Sequence, residues 1–469
     1  MKGTAAKNQT LSEKEKVNIM ESLSYRVTLR VVKILNIVLM TIPALLVWQL
    51  CYRYVDGLQN QWKLAWLVLG AFVVLYITYG RIYGSFYVSM ARISEMIYSQ
   101  CLAMLMADAL LYVLLCLVSR RFLAVWPMGV MLVAQVLLSV IWCVAAHKWY
   151  FKTYPPKKTA IVYDYGESVD GLIHAYGLRK KFNVLRSVSA AQCIANGHED
   201  IRGMETVFLC GVHSSDRNKI LKFCVEQNIT AYILPRIGDV LMSGAKRVNL
   251  FHLPFLRVDR YDPAPEYLLF KRLFDIVVSV VALLVLSPVM LITAVAVKLT
   301  DGGPVFYKQK RLTQNGKEFY VLKFRSMRQD AEKDGVARLS TGESDPRITP
   351  VGRVIRKLRI DELPQLFNIL GGSMSVVGPR PERPEIAAQY EKELPEFSLR
   401  LQAKAGLTGY AQVYGKYNTT PYNKLQMDLM YIAHPSFFED LRIIFVTIKI
   451  LFRSESTEGV AEGMETALK

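Results

Sequence analysis

Long apolar runs dominate the first third of the chain. After a polar and basic N-terminal segment (1–30), four apolar stretches follow one another with short connections between them. Each stretch holds about 20 residues, enough for a helix to cross a ~30 Å hydrocarbon core. The stretches are Val31–Cys51, Trp62–Ile82, Met96–Val118 and Phe122–Ala146. We therefore predict four transmembrane helices, arranged as two hairpins, within residues 31–150.

Lysine and arginine residues are distributed unevenly around these stretches. The N-terminal segment, the loop after the second stretch (Arg81, Arg92) and the exit from the fourth (Lys148, Lys152) are basic. Because positively charged flanks tend to stay in the cytoplasm, we expect the chain after the fourth helix to lie on the cytoplasmic side of the inner membrane. The pair Arg120-Arg121 in the opposite loop goes against this orientation.

From Lys158 to Pro265 the pattern changes to short β-rich runs that alternate with helical segments. Such alternation favours a parallel, Rossmann-like α/β domain, which we place at residues 155–265. The turn after the first run lacks the GxGxxG glycines and carries Glu167 and Asp170, which would repel a pyrophosphate. We therefore expect a degenerate domain with a structural or regulatory role. The runs are Thr159–Tyr163, Asn183–Val188, Thr206–Cys210 and Thr230–Leu234.

A fifth apolar stretch, Leu268–Leu299, allows two readings. It is long enough to span, but charged residues stand at both of its ends and Ser287-Pro288 lies near its middle. Proline removes one helical hydrogen bond, and a preceding serine can satisfy the carbonyl that is freed. The stretch is therefore either a kinked spanning helix or a re-entrant helix (268–300) with its break at Ser287-Pro288. A fifth crossing would place residues 301–469 outside the cell.

Composition and charge narrow the function classes. The chain is 52% hydrophobic with a formal net charge of +18. That charge requires an acidic partner, and the long apolar runs favour a membrane and phosphorylated substrates over nucleic acid. The seven cysteines form no CxxC pair, and none follows Cys224. A disulfide framework or zinc site is therefore not implied, and thiol chemistry is excluded from the carboxyl half.

Two short motifs in the carboxyl half carry candidate chemistry. Asp361 and Glu362 are adjacent carboxylates in a strongly basic neighbourhood, where nearby cations should lower the carboxyl pKa values and keep both groups ionised. An ionised aspartate can attack phosphorus or hold Mg²⁺. Taken alone, the pair also fits a solvated N-cap of a Leu363–Leu370 helix. In Pro379-Arg380-Pro381 two prolines fix the backbone around one arginine, which suits phosphate binding or a rigid surface turn.

These motifs, together with several others in order, resemble the bacterial sugar transferase family, the monotopic phosphoglycosyl transferases. The resemblance covers about Leu268–Ser454 and implies an α-rich catalytic domain at 301–455, followed by a tail at 456–469. The four spans and the α/β insert resemble the family's long form, the undecaprenyl-phosphate hexose-1-phosphate transferases. The further motifs are Lys271–Asp275, Gly303–Phe306, Lys308–Arg311, Lys323–Met327, Val377–Pro381 and Gly406–Gly409.

The resemblance implies an activity and roles for individual residues. A hexose-1-phosphate, with glucose or galactose favoured, would move from a UDP-sugar to undecaprenyl phosphate with release of UMP. This would be the initiating step of exopolysaccharide, capsule or O-antigen synthesis. Asp361 would be the nucleophile and a Mg²⁺ ligand, and Glu362 a base or second ligand. Because UDP-sugars are cytoplasmic, the fifth apolar stretch would be re-entrant, and a homodimer is a further expectation. Residues expected to bind substrate phosphates are Lys323, Arg325, Arg356 and Arg380.

Two other functions stay open from the sequence. One is a membrane-anchored nucleotide-sugar dehydratase or other NAD-dependent enzyme, which the missing GxGxxG disfavours. The other is a non-enzymatic regulator of polysaccharide export, which the intact Asp-Glu and Pro-Arg-Pro motifs disfavour. Leu425–Tyr431 and Leu441–Phe452 are predicted as amphipathic helices at the membrane surface, with a buried core helix as the alternative for the second.

Overall fold

The computed structural model describes residues 13–55, 62–164, 169–175, 177–328, 345, 347–415 and 419–451. The chain divides into two compact units, Met1–Tyr232 and Ile233–Lys469. Residues 233–264, which the sequence assigns to the α/β insert, thus group with the second unit. The turn residue Glu167, the end of the predicted helix at Phe452 and the tail 456–469 lie outside the described residues.

Each of the four predicted apolar stretches of the first unit forms a helix. The first helix begins earlier than predicted and closes with a π-helical turn, Trp48–Tyr52. Within the described residues, five helices are long and apolar enough to cross a membrane: these four and Pro265–Thr300 of the second unit. Which of them cross a bilayer remains a prediction. The four are α1 (Glu13–Val47), α2 (Trp62–Tyr83), α3 (Ile93–Ser119) and α4 (Trp126–Thr153).

Polar side chains link all four helices in the interior of this bundle. Tyr76 of α2 donates a hydrogen bond to Asn36 Oδ1 of α1 at 2.8 Å. Gln100 Oε1 of α3 accepts from Asn36 at 3.4 Å and from Ser139 of α4 at 2.7 Å. These four side chains are buried. In lipid the hydrophobic effect does not drive apolar helices together. Hydrogen bonds of this kind therefore contribute to the packing of the helices.

The region after α4 contains four strands, β1 (Lys157–Tyr163), β2 (Phe182–Ser189), β3 (Thr206–Cys210) and β4 (Thr230–Ile233). They form one sheet in the order β2-β1-β3-β4. Strand β1 pairs in parallel with both β2 and β3. Buried apolar residues such as Val162, Val207 and Ile220 form the core of this α/β region. The observed strands match the predicted runs closely, while the likeness to a Rossmann domain stays a prediction. The helices between the strands are α5 (Val169–Ala175), α6 (Ala190–Ala195) and α7 (Ser214–Glu226).

The second unit is rich in helices, and its described residues form three two-stranded sheets. Its elements are α8 (Ile237–Ser243), β5 (Lys246–Leu250), β6 (Leu253–Arg257), α9 (Pro265–Asp301), β7 (Phe306–Leu312), β8 (Glu318–Phe324), α10 (Pro350–Lys357), α11 (Gln365–Leu370), β9 (Ser375–Val377), α12 (Pro384–Glu393), β10 (Gly406–Thr408), α13 (Tyr410–Tyr414), α14 (Pro421–Ala433) and α15 (Phe437–Leu451).

Helix α9 runs without interruption through Ser287-Pro288. The expected break in the helix therefore does not appear in its secondary structure. The expected hydrogen bond does: Ser287 Oγ donates to the Leu284 carbonyl at 2.8 Å, the carbonyl that Pro288 leaves without its usual donor. A helix accommodates proline in this way because the serine hydroxyl replaces the missing amide.

Both ends of α9 contact the rest of the second unit. Near its start, Arg272 donates to the carbonyls of Ile369 and Leu370, and Asp275 accepts from the Val376 amide. Near its end, Val297 packs in a buried cluster with Phe324 and Ile355. Between these contacts, apolar residues such as Leu284 and Val285 are exposed. The same compact body thus holds the helix on either side of its apolar middle.

Helix α14 corrects one prediction from the sequence. The segment Leu425–Tyr431 is not a surface helix, because Leu425, Leu429 and Tyr431 are all buried in the core of the second unit. Its polar side also points inward, since Asp428 is 1% exposed. The amphipathic pattern reflects packing of two buried faces, one apolar and one ionic.

The outer side of β8 is closed by a side chain. Asn368 of α11 donates to the Tyr320 carbonyl at 2.8 Å, and its amide oxygen accepts from the Leu322 amide at 2.9 Å. The amide side chain therefore occupies the two backbone groups that a neighbouring strand would use.

Candidate active site

The carboxylates Asp361 and Glu362 lie on a short 3-10 turn, Ile360–Glu362, between α10 and α11. Thr349 begins α10 by accepting a hydrogen bond from the Gly352 amide at 2.9 Å, and Pro350 occupies the first turn, where proline is favoured. Arg359 then adopts a left-handed backbone with φ of 54°. This conformation is uncommon for a residue with a Cβ, and it directs the chain into the turn.

The turn does not cap the helix that follows it. Helix α11 begins at Gln365 after Pro364, and its N-terminus has no side-chain cap. The alternative reading of Asp361 and Glu362 as a helix cap is therefore wrong, and both side chains are available for other contacts.

Two cations from distant parts of the chain converge on Glu362. Lys323 Nζ of β8 lies 3.1 Å from Glu362 Oε1, and Arg380 Nη2 of the Pro-Arg-Pro loop lies 3.3 Å from the same oxygen. Glu362 and Lys323 are 15% and 19% exposed and Arg380 is 41% exposed, so the lysine and the carboxylate are largely sheltered while the arginine reaches solvent. Charged hydrogen bonds in such surroundings are stronger than those at an open surface.

The two carboxyl groups respond differently to these surroundings. Burial by itself would raise the pKa of Glu362, but the charges of Lys323, Arg380 and Arg359 lower it well below its usual range. Burial raises the pKa of Asp361 to about 6, against the opposing charge of Lys323. The expectation that nearby cations would lower both pKa values is therefore wrong for Asp361, because desolvation there outweighs the cations.

Of the four predicted phosphate-binding residues, Lys323 and Arg380 contact Glu362 directly. Arg356 acts electrostatically on Asp361, as does Arg359. Arg325 is buried, 7% exposed, and the largest electrostatic effects on the two carboxylates come from the other cations.

The Pro-Arg-Pro loop is held by arginines behind it. Arg311 of β7 donates to the Pro381 carbonyl at 3.0 Å, and Arg400 donates to the Arg380 carbonyl at 3.0 Å. Close backbone contacts fix the start of the loop as well, because a Cβ on Gly378 would overlap the Lys404 carbonyl oxygen. The loop thus presents the Arg380 side chain from a backbone anchored on both sides.

A buried ionic network lies beneath this loop. Arg400 Nη2 is 2.6 Å from Asp428 Oδ2, and Arg400 Nη1 is 3.4 Å from Glu382 Oε1. Arg400 and Asp428 are 3% and 1% exposed, and the guanidinium stacks on the Phe397 ring at 4.9 Å. This network was not predicted from the sequence. The available signal is that Asp428 lies on the inward side of α14, next to Leu425 and Leu429.

The donor set suits Mg²⁺ bound together with substrate. Asp361 and Glu362 supply adjacent carboxylates, and Lys323 and Arg380 both contact the same oxygen of Glu362, Oε1. Among the described residues no third His, Cys, Asp or Glu completes a cluster with them. Mg²⁺ commonly takes one or two carboxylates and completes its shell with substrate phosphates and water.

The second unit matches a known protein family. The family model for "Bacterial sugar transferase" matches residues 266–454. The exopolysaccharide production protein PSS of Rhizobium leguminosarum bv. phaseoli is 43% identical over 201 residues, 41% of this chain and 98% of that protein.

Longer relatives are similar over about half of this chain. A UDP-N-acetylgalactosamine-undecaprenyl-phosphate N-acetylgalactosaminephosphotransferase of Aeromonas hydrophila is 39% identical over 236 residues, 50% of this chain and 55% of that protein. A UDP-glucose:undecaprenyl-phosphate glucose-1-phosphate transferase of Xanthomonas campestris pv. campestris is 39% identical over 226 residues, 47% of this chain and 46% of that protein. The chain therefore spans about half the length of these two relatives.

Proposed function

Because the chain belongs to the bacterial sugar transferase family, we propose that it transfers a sugar-1-phosphate from a UDP-sugar to undecaprenyl phosphate. The product would be a lipid-linked diphosphosugar, the starting unit of an exopolysaccharide. The names of the relatives support this, since two of them are undecaprenyl-phosphate sugar phosphotransferases.

The observation that carries the proposal is the charged cluster around Glu362. Glu362 holds Lys323 and Arg380 in place, while its neighbour Asp361 shares the same basic surroundings. A diphosphate placed here would meet cations on one side and a carboxylate nucleophile on the other. Phosphoryl transfer depends mainly on such positioning and charge stabilisation.

We infer a reaction in two displacements. In the first, an Asp361 carboxylate oxygen attacks the β-phosphorus of the UDP-sugar. The bond from that phosphorus to the bridging oxygen breaks, and UMP leaves with the electron pair. In the second, a phosphate oxygen of undecaprenyl phosphate attacks the same phosphorus, and the bond to Asp361 breaks. The aspartate is regenerated, and the sugar phosphate stays on the lipid.

Asp361, with Glu362 as second ligand, would hold Mg²⁺, which when bound supplies positive charge to the diphosphate. The chain's own contribution is to keep Lys323 and Arg380 near the phosphates. Because the pKa of Asp361 is raised to about 6, its carboxylate is more basic than an ordinary aspartate while still ionised at neutral pH.

We further propose that α9 is re-entrant and that the second unit lies on the cytoplasmic side of the inner membrane. Contacts of Arg272 and Val297 with one compact body support this, because they lie on either side of the exposed apolar middle. A straight helix would separate these residues by about 37 Å, more than a hydrocarbon core. Crossing the bilayer between them would pull that body into lipid.

The sugar is open between glucose, galactose and N-acetylated hexoses. The names of the relatives include glucose and N-acetylgalactosamine. Part of the segment 415–422, which we expect to influence this choice, lies outside the described residues. A panel of radiolabelled UDP-sugars, tested with undecaprenyl phosphate and Mg²⁺, should identify one donor whose label passes into organic solvent.

Substitution of the nucleophile tests the mechanism. Asp361→Asn should abolish transfer while retaining the fold, because the amide keeps the size of the side chain but cannot attack phosphorus. With donor alone, intact-mass analysis of wild-type protein should show a sugar-phosphate adduct on residue 361. Glu396→Gln, an exposed carboxylate of the same unit, is the matched control and should transfer normally. Full activity of Asp361→Asn would remove this function for the carboxylate.

A further inference from the structure

The β5–β6 hairpin of the second unit exposes a concentration of large apolar side chains. Phe251 at its tip is 85% exposed. A two-stranded hairpin is only marginally stable by itself, and soluble proteins rarely leave large contiguous apolar patches open to water. The hairpin therefore needs a surface that covers it. The exposed apolar residues are Leu250, Phe251, Leu253, Phe255, Leu256 and, directly after β6, Val258.

The two residues at the tip adopt a backbone that their side chains disfavour. Leu250 pairs with Leu253, so Phe251 and His252 form a two-residue loop. Their φ angles are 55° and 64°. Asparagine and glycine adopt positive φ most easily, and they are the usual residues of such a turn. The Phe-His turn therefore gives up stability and presents an aromatic side chain to the surroundings, as strained backbone often does at functional positions.

The base of the hairpin is fixed to the second unit at both of its ends. Before β5, a Cβ on Gly244 would overlap the Ala433 carbonyl oxygen, so the backbone packs directly against the end of α14. After β6, the Tyr261 amide donates to Gln402 Oε1 at 3.0 Å. The apolar tip therefore projects from a base whose position the rest of the unit determines.

Charged and apolar residues are separated along the hairpin. Lys246 pairs with Arg257 across the strands, and Arg247 follows, so the cations lie at the open end, away from the tip. Neither strand contains an acidic residue, and Asp259, which follows β6, pairs with Arg257 at 3.0 Å. A basic end behind an apolar tip is complementary to anionic lipid headgroups that lie above acyl chains.

Apolar side chains on both faces favour lipid over a protein partner. Val248 and Phe255 share one face, Leu256 lies on the other, and Phe251 lies at the tip between them. A protein surface would cover one face, whereas acyl chains can surround all of them. Helix α9, which is long and apolar enough to cross a membrane, begins at Pro265, eight residues after β6 ends. Eight residues span at most about 29 Å, so the hairpin starts close to a membrane-seeking segment.

We propose that the β5–β6 hairpin is a second membrane contact of this unit, with Phe251 and its apolar neighbours among the acyl chains of an anionic bilayer. Lys246 and Arg247 then lie at the level of the headgroup phosphates. A body held by one helix can rotate about the axis of that helix, and a second contact removes this freedom. The hairpin thus sets which side of the unit faces the lipid. This contact does not depend on the proposed reaction.

Photo-crosslinking identifies what covers the tip. Full-length protein carrying benzoylphenylalanine in place of Phe251 is placed in nanodiscs of phosphatidylglycerol and phosphatidylcholine and irradiated. The same probe replaces Leu284 in the middle of α9 as the positive control, and Val225 on α7, 78% exposed, as the negative control. Lipid adducts at position 251 should exceed those at 225 by about tenfold or more, the factor expected for burying an aromatic side chain. A crosslinked dimer, or a lipid yield at 251 no higher than at 225, would overturn the proposal.

A double substitution separates membrane contact from a role in the fold. Phe251→Asn/His252→Gly supplies the residues that the turn favours, so the variant should unfold at the wild-type temperature or above. With the probe now in place of Leu253, the yield of lipid adduct should fall by about tenfold relative to the same probe in an otherwise wild-type chain. Val225→Asn, which removes an exposed apolar side chain elsewhere, should change neither measurement. An unchanged adduct yield, or a lower unfolding temperature, in the double variant would contradict the inference.

Discussion

Replacing Arg400 by methionine should weaken both the fold and the presentation of Arg380. The substitution removes the 2.6 Å contact with Asp428 and the hydrogen bond to the Arg380 carbonyl. Asp428 is 1% exposed and would be left as an uncompensated carboxylate. Breaking a buried ion pair from one side typically costs about 3–5 kcal/mol. For a unit of roughly 200 residues, this corresponds to a fall in Tm of about 6–20 °C.

A double substitution separates stability from catalysis. In Arg400→Met/Asp428→Leu neither charge remains, and replacing a buried pair by apolar residues is often close to neutral. We therefore expect thermal unfolding of the double variant to recover most of the loss. Sugar-phosphate transfer should stay reduced, because the Arg380 carbonyl and Glu382 still lack the guanidinium that holds the loop.

Recovery of both Tm and transfer in the double variant would refute this reasoning. It would mean that Arg400 stabilises the fold without positioning Arg380. Arg442→Met is the matched control, because Arg442 pairs with Glu439 at 3.4 Å but is 43% exposed. Removing an exposed pair should change the free energy of unfolding by at most about 1 kcal/mol.

Two further substitutions test how the active-site turn and α9 are held. Arg272→Met leaves the Ile369 and Leu370 carbonyls without their donors and should lower the free energy of unfolding by about 1–3 kcal/mol, measured by denaturant titration. Gly352→Ala places a Cβ against the Ser326 carbonyl oxygen and should cost about 1–3 kcal/mol. Because α10 leads into Asp361, Gly352→Ala should also slow transfer; normal rates and stability would show that the backbone yields there.

Much of the fold could be predicted from periodicity. The apolar stretches anticipated α2 and α3 to within a few residues, and the β-rich run Thr206–Cys210 was observed with identical bounds. The ends of these elements follow from the local sequence, because the pattern of apolar and polar residues changes there. The segment 233–264 groups with the second unit, whereas the sequence pattern placed it in the α/β insert, because composition does not reveal which body a connecting hairpin packs against.

The residues of the site could be predicted from the sequence only where a charged residue lies within a recognisable motif. Lys323, Glu362 and Arg380 were chosen together and are in contact. Arg400 and Asp428 were missed because isolated charges in a mixed segment usually face solvent. The pKa of Asp361 could not be anticipated either, since desolvation depends on burial that the sequence does not contain.

The side-chain amide of Asn368 also affects whether molecules of this protein can associate through their sheet edges. By occupying the backbone groups of Tyr320 and Leu322, it closes this part of the outer edge of β8 to a strand from another molecule. Proteins confined to a bilayer meet at high local concentration, so an open sheet edge there would invite self-association into aggregates. One side chain of α11 thus disfavours polymerisation through the edge of β8.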